Sequence, residues 1–551
     1  MIKDFTTSFK YTLGQIKFLS KRDTDHRLKA SFGKLKDEAF DFDSIESYFR
    51  TKDHSKAYQV LSDKTCNDLD FEEFFMFLDR THSKIGQQYF YNRLRALNPD
   101  AKQTALNEKL ITQLSQNPEL RIAIQKKLEK LKHKDAYYIS SLFQEDHIEP
   151  PGWFWVIKLL SFTALASLIL SFFNATFFIL LLGVFCANFI IHYWNKRNLV
   201  KYVSSIPQLI KLNAVAAYLF NQDLFKELNP NLHQSIKLIN GVKSRMSFFQ
   251  LEARLQGEFE IIFWFVFEIL KTLFLLEPLL LFGVLKRLDT KRNEIEALFQ
   301  FVGHIDMLIS IAALRSNLKA YCLPVITEED SIRTEAIYHP LIYNCTTNSL
   351  VITSKSILLT GSNMSGKTSF IRAVGLNIIS GLGINTCFAK AMSFPLIKVH
   401  SAIRISDDLM NDKSYYFEEV LSIKEMLNES KKPHKNLFLL DELFKGTNTV
   451  ERIAAGKSIL SALSKNNKVL VSTHDIELTD MLDDSYDLYH FSETVNGKNV
   501  GFDYKLKGGK LKNRNAIKIL EINDYPKEIV QEAFAISKEL DKIYTAKNNG
   551  N

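Results

Sequence analysis

Apolar residues follow two different periods along this chain, and the period changes near residue 335. Residues 100–148 and 200–330 repeat apolar residues at helical spacing, as in EALFQFVGHIDMLISIAALR, with few prolines or glycines. From about residue 335, short apolar runs typical of buried strands alternate with helical stretches. The pattern predicts a mainly α-helical first part, followed by an α/β domain with a parallel sheet.

The most apolar stretch, residues 153–194, reads as two helices joined by a tight turn at Asn174. Each half has about 20 mostly apolar residues, the length that a helix needs to cross the hydrocarbon core of a bilayer. Aromatic residues suited to a membrane interface stand at its outer ends: Trp153, Trp155, Tyr193 and Trp194. We predict a transmembrane helical hairpin over residues 150–197; the alternative is a helical hairpin buried in a soluble core.

Basic residues flank this hairpin on both outer sides, and its turn carries none. They are Lys126, Lys127, Lys130, Lys132, Lys134, Lys196, Arg197 and Lys201. By the positive-inside rule, both outer ends face the cytoplasm. We therefore expect a protein of the cytoplasmic membrane whose N-terminal and C-terminal parts lie on the cytoplasmic side.

A third apolar stretch, residues 259–285, is interrupted by charged residues. These are Glu260, Glu268, Lys271 and Glu277. Charges at such depth are costly in lipid, and one extra span would place the two ends of the chain on opposite sides of the membrane. We therefore predict a buried core helix here rather than a membrane span.

Bulk composition narrows the classes of function only slightly. A chain of 551 residues is long enough for several domains, and a net charge of +8 permits contact with nucleic acid or anionic lipid without requiring either. The five cysteines are scattered and form no CxxC pair, which argues against a zinc site or a disulfide framework. The basic N-terminus lacks the apolar segment of a secretory signal peptide.

The strongest chemical motif is a glycine-rich loop of the form GxxxxGK[ST] between a predicted strand at 356–360 and a predicted helix at 369–374. In such a P-loop, backbone N–H groups and the helix N-terminus bind phosphate oxygens. The predicted ATP-binding residues are Gly361, Ser362, Asn363, Met364, Ser365, Gly366, Lys367, Thr368 and Ser369. Lys367 is expected to reach the β- and γ-phosphates, and the Thr368 hydroxyl to ligate Mg²⁺.

Two further apolar runs end in residues that suit ATP hydrolysis. Residues 437–440 are followed directly by Asp441 and Glu442, and residues 469–471 are followed by Ser472, Thr473 and His474. Because ligands bind at the carboxyl ends of parallel strands, these side chains are expected near the P-loop. Asp441 is predicted to hold Mg²⁺, Glu442 to polarise the attacking water, and His474 to sense the nucleotide state.

Three segments around these motifs resemble the ATPase part of the MutS family of DNA mismatch repair proteins. They are GSNMSGKTSFIRAVGLN at 361–377, LFLLDELFKGTNTVER at 437–452 and VLVSTHDIEL at 469–478. Upstream, residues 74–99 and 301–314 are similar to the helical core of the same family. The resemblance covers about 59–99 and 301–545.

The resemblance implies more than ATP and Mg²⁺ as cofactors. MutS-like ATPases are dimers with two composite sites, which predicts a homodimer. Ser414 resembles the serine that contacts the γ-phosphate bound by the partner subunit, and Asn448 and Thr449 lie in the loop that would approach the dimer interface. His339 resembles the entry to the ATPase domain, near the adenine. Double-stranded DNA is the partner that the family implies.

Together these features predict a multi-domain protein: a mainly α-helical core and lever with a transmembrane hairpin, followed by an α/β P-loop ATPase domain of the ABC type. The expected ranges are an N-terminal segment at 1–58, helical core at 59–149, hairpin at 150–197, helical lever at 198–330, ATPase domain at 331–545 and tail at 546–551. The short first range leaves no room for the family's N-terminal mismatch-recognition domain.

Two functions remain open on the sequence. The first is a membrane-tethered, DNA-binding ATPase of mismatch repair or DNA-damage sensing. The alternative is a membrane-anchored MutS-type motor that acts on a protein or membrane partner without mismatch recognition. A transporter is disfavoured, because two spans per chain make a poor translocation path and no LSGGQ-type signature is present.

Overall fold

The structure is a computed structural model that describes residues 23–255, 261–362, 364–404, 415–444, 446–496, 499–511, 517–518, 520 and 525–548. The chain forms two compact units. The first contains the described residues of Met1–Lys56, Leu78–Arg95 and Asp100–Asn317, and the second those of Ala57–Phe77, Ala96–Pro99 and Leu318–Asn551. Each unit is therefore built from separate segments of the chain.

The first unit is helical, and helices also cover the sheets of the second. In chain order the helices are α1 Phe42–Thr51, α2 Asp63–Asp68, α3 Phe71–Leu78, α4 Lys84–Arg95, α5 Ala101–Gln116, α6 Pro118–Leu128, α7 Ser141–Gln144, α8 Phe154–Ser171, α9 Thr176–Phe220, α10 Leu232–Asn240, α11 Lys243–Leu255, α12 Ile261–Phe274, α13 Leu276–Asp289, α14 Arg292–Asn317, α15 Lys367–Ile384, α16 Tyr415–Glu429, α17 Thr449–Leu463, α18 Glu477–Met481 and α19 Lys527–Asn548. Short 3₁₀ helices lie at Glu129–Leu131, Lys134–Ile139 and Asp223–Leu228.

The strands belong to the second unit. They are β1 Gln59–Val60, β2 Ala96–Leu97, β3 Val325–Thr327, β4 Ile332–Ile337, β5 Asn348–Ile352, β6 Ser356–Thr360, β7 Ala391–Pro395, β8 Ile397–Ala402, β9 Lys435–Asp441, β10 Lys468–Ser472, β11 Tyr486–His490, β12 Glu493–Asn496, β13 Asn499–Phe502 and β14 Lys507–Gly508. The switch from helices to alternating strands and helices that the sequence predicts near residue 335 is confirmed.

The apolar stretch 153–194 forms two helices that meet at the predicted turn. Asn174 lies between α8 and α9, where its Oδ1 accepts a hydrogen bond of 2.9 Å from the backbone N–H of Thr176. At the other end of the hairpin, the ring centroids of Trp153 and Trp194 lie 5.3 Å apart, as expected for aromatic residues at the same height along its two helices. The geometry of a helical hairpin is thus present.

The second hairpin helix does not end with the apolar stretch. α9 runs without interruption to Phe220, with Pro207 inside it, so the hairpin and the start of the predicted lever region form one helix. Judged by length and composition alone, four described stretches could cross a membrane: Phe154–Ser171, Thr176–Trp194, Lys201–Phe220 and Arg292–Asn317. The first two are 17% and 22% buried, against 61% and 83% for the last two, which therefore belong to the core of the unit.

The prediction of one buried core helix at 259–285 is wrong in two respects. The chain breaks at Leu275, whose φ of 47° lies in the left-handed region, and forms α12 and α13. α12 also exposes large apolar side chains, those of Phe265, Val266, Ile269 and Leu270. Helical periodicity does not report which neighbours cover each face, and these four side chains are only about half covered by the described residues.

A buried carboxylate joins two segments that the resemblance assigns to the helical core. Asp306, on α14, accepts hydrogen bonds from the backbone N–H groups of His82 and Ser83 at 2.9 and 2.7 Å, and from the Ser83 hydroxyl at 2.6 Å. These donors lie just before α4, so the carboxylate stabilises the start of that helix and fixes it against α14.

The main sheet of the second unit has six strands in the order β14-β11-β6-β10-β9-β8. Its strands β11, β6, β10, β9 and β8 are parallel, whereas β14 pairs with β11 in the antiparallel direction. A second sheet has the order β3-β7-β4-β5, and two short pairs, β1 with β2 and β12 with β13, complete the unit.

Helices pack on both faces of the main sheet, and its central strands β6 and β10 are buried over their whole length. On one face, residues of α16, α17 and α18 form a buried cluster with the strands that includes Ile423, Leu460, Leu478 and Phe438. On the other, α15 lies so close to β9 that a Cβ atom at Gly375 would fall 2.5 Å from Leu439 Cδ1. This packing fixes the start of α15 against the ends of the central strands.

Candidate functional site

The glycine-rich loop lies between the central strand β6 and the helix α15, as the sequence predicts. Gly361 and Gly366 have φ values of 146° and 98°, which side-chain-bearing residues rarely adopt. A Cβ atom at Gly361 would also fall 2.6 Å from the backbone oxygen of Phe491. The two glycines therefore allow the loop to turn tightly at the N-terminus of α15, where phosphate groups bind in other proteins.

Lys367 is the first residue of α15, and its side chain folds back over the loop. Its Nζ donates hydrogen bonds to the backbone oxygens of Gly361, at 2.7 Å, and Ser362, at 2.9 Å. The Ser365 hydroxyl donates to the same Ser362 oxygen at 2.7 Å. Met364 is exposed, and Asn363 lies outside the described residues. The ammonium group is thus held over the concave side of the loop.

The two predicted magnesium ligands meet beside the loop. The Thr368 hydroxyl donates to Asp441 Oδ2 at 2.7 Å, although the two residues are 73 positions apart in sequence. The other carboxylate oxygen accepts a hydrogen bond from the Ser472 hydroxyl. One hydroxyl and one carboxylate next to a phosphate-binding loop fit Mg²⁺, which takes few protein ligands and fills its other positions with water and phosphate oxygens.

Glu442 and His474 come together at the same edge of the sheet. They follow the parallel neighbours β9 and β10, and Glu442 Oε1 lies 2.8 Å from His474 Nε2. The backbone of Glu442 has a left-handed φ of 56°, which is costly for a residue with a side chain. Its N–H donates to the oxygen of Ser472 at 3.0 Å, and this bond holds the turn.

An ion pair next to these residues escapes notice in the sequence. Arg452, on α17, donates two hydrogen bonds to the carboxylate of Asp475, at 2.9 and 2.6 Å. Asp475 directly follows His474, so the guanidinium holds the segment that carries the histidine. In sequence, Arg452 closely follows the predicted interface loop. In that loop the Asn448 side chain caps α17, and Thr449 is the first residue of the helix.

Both interface residues, Asn448 and Thr449, are exposed. The predicted partner-contacting residue Ser414 lies outside the described residues. The structure therefore places the predicted P-loop residues other than Asn363, together with Asp441, Glu442 and His474, at one edge of one sheet. It places Asn448 and Thr449 at the start of α17 and leaves Ser414 a prediction.

A cavity of about 440 Å³ opens beside the P-loop. Its lining includes Lys367, Thr368 and Ser369 on one side and His339, Tyr343, Phe491 and Tyr504 on the other. An aromatic and apolar wall next to a phosphate-binding loop has the chemistry that a purine base and its phosphates require. His339, which the resemblance places near the adenine, does line this cavity.

Burial lowers the pKa of His339 to about 4, and the nearby cation Arg372 adds to that effect. The neutral ring fits its hydrogen bond, because Nδ1 accepts from the backbone N–H of Leu341 at 3.3 Å. The nearby carboxylate of Asp70 acts in the opposite direction and does not reverse the shift. The wall of the cavity is therefore uncharged at neutral pH.

Sequence reasoning missed the residues that support the site from outside the motifs. Besides Arg452, these include Glu493, which accepts a hydrogen bond of 3.1 Å from the Ser362 hydroxyl, and Glu419, which accepts from the backbone N–H of Phe444. Neither residue stands in a motif. The features that distinguish them, burial and a hydrogen bond to a loop, are visible only in the folded structure. Their positions depend on the fold of the whole unit.

The fold and the site define an α/β protein with an open, mostly parallel sheet and a glycine-rich loop after its central strand. Residues 357–541 match the family model for MutS domain V. The DNA mismatch repair protein MutS of Aquifex pyrophilus is 30% identical over 270 residues, which are 47% of this chain and 31% of that protein. MutS of Fusobacterium nucleatum is 27% identical over 297 residues, 48% of this chain and 33% of that protein.

A eukaryotic relative gives the same picture. The DNA mismatch repair protein MSH3 of Kluyveromyces lactis is 30% identical over 287 residues, which are 48% of this chain and 27% of that protein. Residues 357–541 thus match a MutS domain V, and about half of the chain is similar to MutS-type DNA mismatch repair proteins. The chain spans about a third of the length of the relatives that it matches.

Proposed function

We propose that this protein is a membrane-tethered MutS-type ATPase that binds double-stranded DNA and acts in mismatch repair or DNA-damage sensing. The observation that carries the ATPase part is the meeting of two pairs at one sheet edge. Thr368 contacts Asp441 at 2.7 Å, and Glu442 contacts His474 at 2.8 Å. Both pairs stand beside the loop that presents Lys367, so binding and hydrolysis groups converge on one place.

In this proposal, separate residues bind the phosphates, bind the metal and activate the attacking water. Backbone N–H groups of residues 361–369 and the ammonium of Lys367 bind the phosphates and offset their charge. Thr368 and Asp441 hold Mg²⁺, which neutralises charge on the phosphate oxygens when bound. Glu442 orients the attacking water and takes its proton at the carboxylate, while His474 fixes that carboxylate and reports the state of the site.

The homodimer is part of the same proposal. In the MutS-like arrangement, a second copy completes each ATP site, with Ser414 directed to the partner's γ-phosphate and Asn448 and Thr449 at the interface. The exposure of Asn448 and Thr449 at the start of α17 supports this placement. Closure of the two copies on ATP would then bring the serine into the site.

Membrane tethering rests on the surface of the hairpin. Most residues of Phe154–Ser171 and Thr176–Trp194 are not buried within the unit, and their exposed side chains are large and apolar. Such a surface is too apolar for water and has the length of a bilayer. The basic flanks favour a location in the cytoplasmic membrane with the ATPase domain on the cytoplasmic side.

DNA as the partner is supported by the relatives, whose names describe them as DNA mismatch repair proteins. A second candidate is a motor that acts on a protein or on the membrane itself. It is favoured by the continuity of α9, which carries the hairpin directly into the helical unit up to Phe220. Because one continuous helix joins the two parts, a movement of either part would be passed to the other.

The deciding experiment measures ATP hydrolysis by the full chain in nanodiscs, without DNA, with homoduplex and with mismatched duplex, at two salt concentrations. The Lys367→Ala variant is the control for contaminating activity. Stimulation by duplex that fades with salt supports the DNA-acting protein, because phosphate contacts release counterions. Hydrolysis without any response to DNA supports the second candidate, and no hydrolysis above the Lys367→Ala control overturns both.

A further inference from the structure

The helix α12 ends against the middle of the hairpin rather than at its outer end. The Ser161 hydroxyl, on α8, donates to the backbone oxygen of Phe274 at 2.7 Å, and Asn188, on α9, donates to that of Leu273 at 2.6 Å. The last carbonyls of a helix have no partner within it, so both bonds stabilise the end of α12. Directly after them, Leu275 reverses the chain into α13.

The position of these contacts gives the depth of the turn. The level of the paired rings of Trp153 and Trp194 marks one end of the hairpin. At a rise of about 1.5 Å per residue, Ser161 lies about 12 Å and Asn188 about 9 Å further along the hairpin than these rings. A hydrocarbon core of about 30 Å has its midplane at about 15 Å. The turn at Leu275 is therefore deep enough to enter one leaflet and too shallow to cross.

Burial increases along α12 towards its end. In the last turn, Leu273 packs into a buried cluster with Ala164, Leu181 and Val184 of the hairpin. On the same side of the helix, one to two turns earlier, Phe265, Val266, Ile269 and Leu270 are 59%, 50%, 40% and 41% exposed. These exposed apolar side chains form the outer face of α12 and stand beside the exposed apolar surface of the hairpin.

The described charged residues between Phe265 and Glu277 lie on the opposite side of α12 or beyond its end, and they pair with one another and with α9. Lys271 is buried and lies 2.8 Å from Glu268 and 3.7 Å from Glu277. Glu268 is also within 3.1 Å of Lys196 and 3.2 Å of His192, both on α9. Two carboxylates are thus matched by two lysines, and paired charges are the form in which ionisable groups occur at membrane depth.

We propose that α12 and α13 form a re-entrant helical pair that enters the cytoplasmic leaflet beside the hairpin and that the outer face of α12 contacts lipid acyl chains. The occupant is lipid for three reasons: the outer face adjoins the apolar surface of the hairpin, its described positions from Phe265 to Leu273 are all apolar, and Ile269 and Leu270 lie roughly 3–7 Å inside the level of the tryptophan rings by the same count. The inference rests on the proposed membrane tether. The tether then consists of four helices rather than two. Because the re-entrant pair enters and leaves the membrane on the same side, both ends of the chain stay on the cytoplasmic side.

Nitroxide labels on the full chain test this inference. Cys186, exposed on the hairpin, is the reporter for the tether, and Cys322 and Cys345 are replaced by serine to leave it as the accessible thiol. For the test position, Cys186→Ala is combined with Ile269→Cys, and with Leu270→Cys on the same face in case the first variant folds poorly. Leu238→Cys on α10 is the control for an exposed leucine outside the apolar stretches.

In liposomes, collisions of each label with oxygen, which concentrates in lipid, are compared with collisions with a water-soluble nickel chelate. We expect a several-fold higher oxygen-to-nickel ratio at Ile269→Cys than at Leu238→Cys, with a depth shallower than that of the Cys186 label. If the Cys186 label is in lipid and that at Ile269→Cys is in water, the re-entrant pair is wrong and the tether stands. If Ile269→Cys is shielded from both reagents, protein covers the face and the inference also fails. A Cys186 label in water removes the tether and the inference together.

Discussion

Nε2 of His474 lies 2.8 Å from Oε1 of Glu442, and the two residues follow neighbouring parallel strands of one sheet. The contact holds a carboxylate at the sheet edge where the P-loop begins, in a backbone conformation that the strand ends keep in place. A carboxylate in this position is suited to orient a water molecule for attack on a bound phosphate.

Replacing Glu442 with Gln is expected to preserve ATP binding and to lower the hydrolysis rate by about 10²–10⁴-fold, the usual contribution of a general base. The amide keeps the shape of the side chain and its contact with His474 but cannot accept a proton from water. ATP affinity is measured with a fluorescent analogue and turnover by phosphate release. Turnover at the wild-type rate would contradict the role of Glu442.

Replacing Thr368 with Val is expected to weaken Mg²⁺-dependent nucleotide binding by about tenfold or more, because one hydrogen bond to a charged group contributes about 1.5–3 kcal/mol. Val has the same shape but lacks the hydroxyl that contacts Asp441. The Thr368→Ser variant keeps the hydroxyl and is the matched control. Titration of each variant with Mg²⁺ at fixed ATP measures the effect, and equal Mg²⁺ dependence of all three proteins would rule out Thr368 as a ligand.

Replacing Arg452 with Gln is expected to lower kcat about five- to tenfold with little change in KM, because its hydrogen bonds to described residues go to Asp475 and not to a predicted phosphate or metal ligand. It acts through Asp475, which it binds with two hydrogen bonds, and thereby positions His474. The Arg452→Lys variant keeps the charge but not the planar fork and should recover only part of the rate. An Asp475→Asn variant should show a similar loss, and the double variant should lose little more. Fully additive losses would show that the pair does not act as a unit.

The strands and the loop of the site could be predicted from the sequence because each rests on a local pattern. The apolar runs 437–440 and 469–471 are typical of buried strands in a parallel sheet, and the polar residues after such strands meet at one edge. Arg452 and Asp475 lie 23 positions apart and carry no such pattern. Their pairing depends on how α17 packs against the sheet, which the order of residues does not state.

The helical unit shows a similar limit. Apolar content predicted the hairpin, and Asn174 its turn, because both are local properties. The continuation of α9 to Phe220 was missed, since the change from apolar to mixed composition near Lys196 looks like a helix end. The exposure of Phe265 and Ile269 was missed for another reason: an apolar residue has the same sequence signal whether protein or lipid covers it.

The buried ring of His339 makes the stability of its unit depend on pH. Its pKa is about 4 in the folded protein, against about 6.5 in an unfolded chain, so between these values the unfolded state binds more protons. Stability from this residue is complete above about pH 6.5 and is lost as the pH falls towards 4, by up to about 3 kcal/mol.

The His339→Gln variant, which keeps a hydrogen-bond acceptor but does not titrate there, should lose less stability over this range than the wild type. Pulse proteolysis in urea, reading peptides from β6 and α15, measures the free energy of unfolding at pH 5 and pH 7.5. Replacement of the exposed His133 by Gln is the control and should leave the difference between the two pH values unchanged. An identical pH dependence in the wild type and the His339→Gln variant would show that His339 is protonated in the folded protein as easily as in the unfolded one.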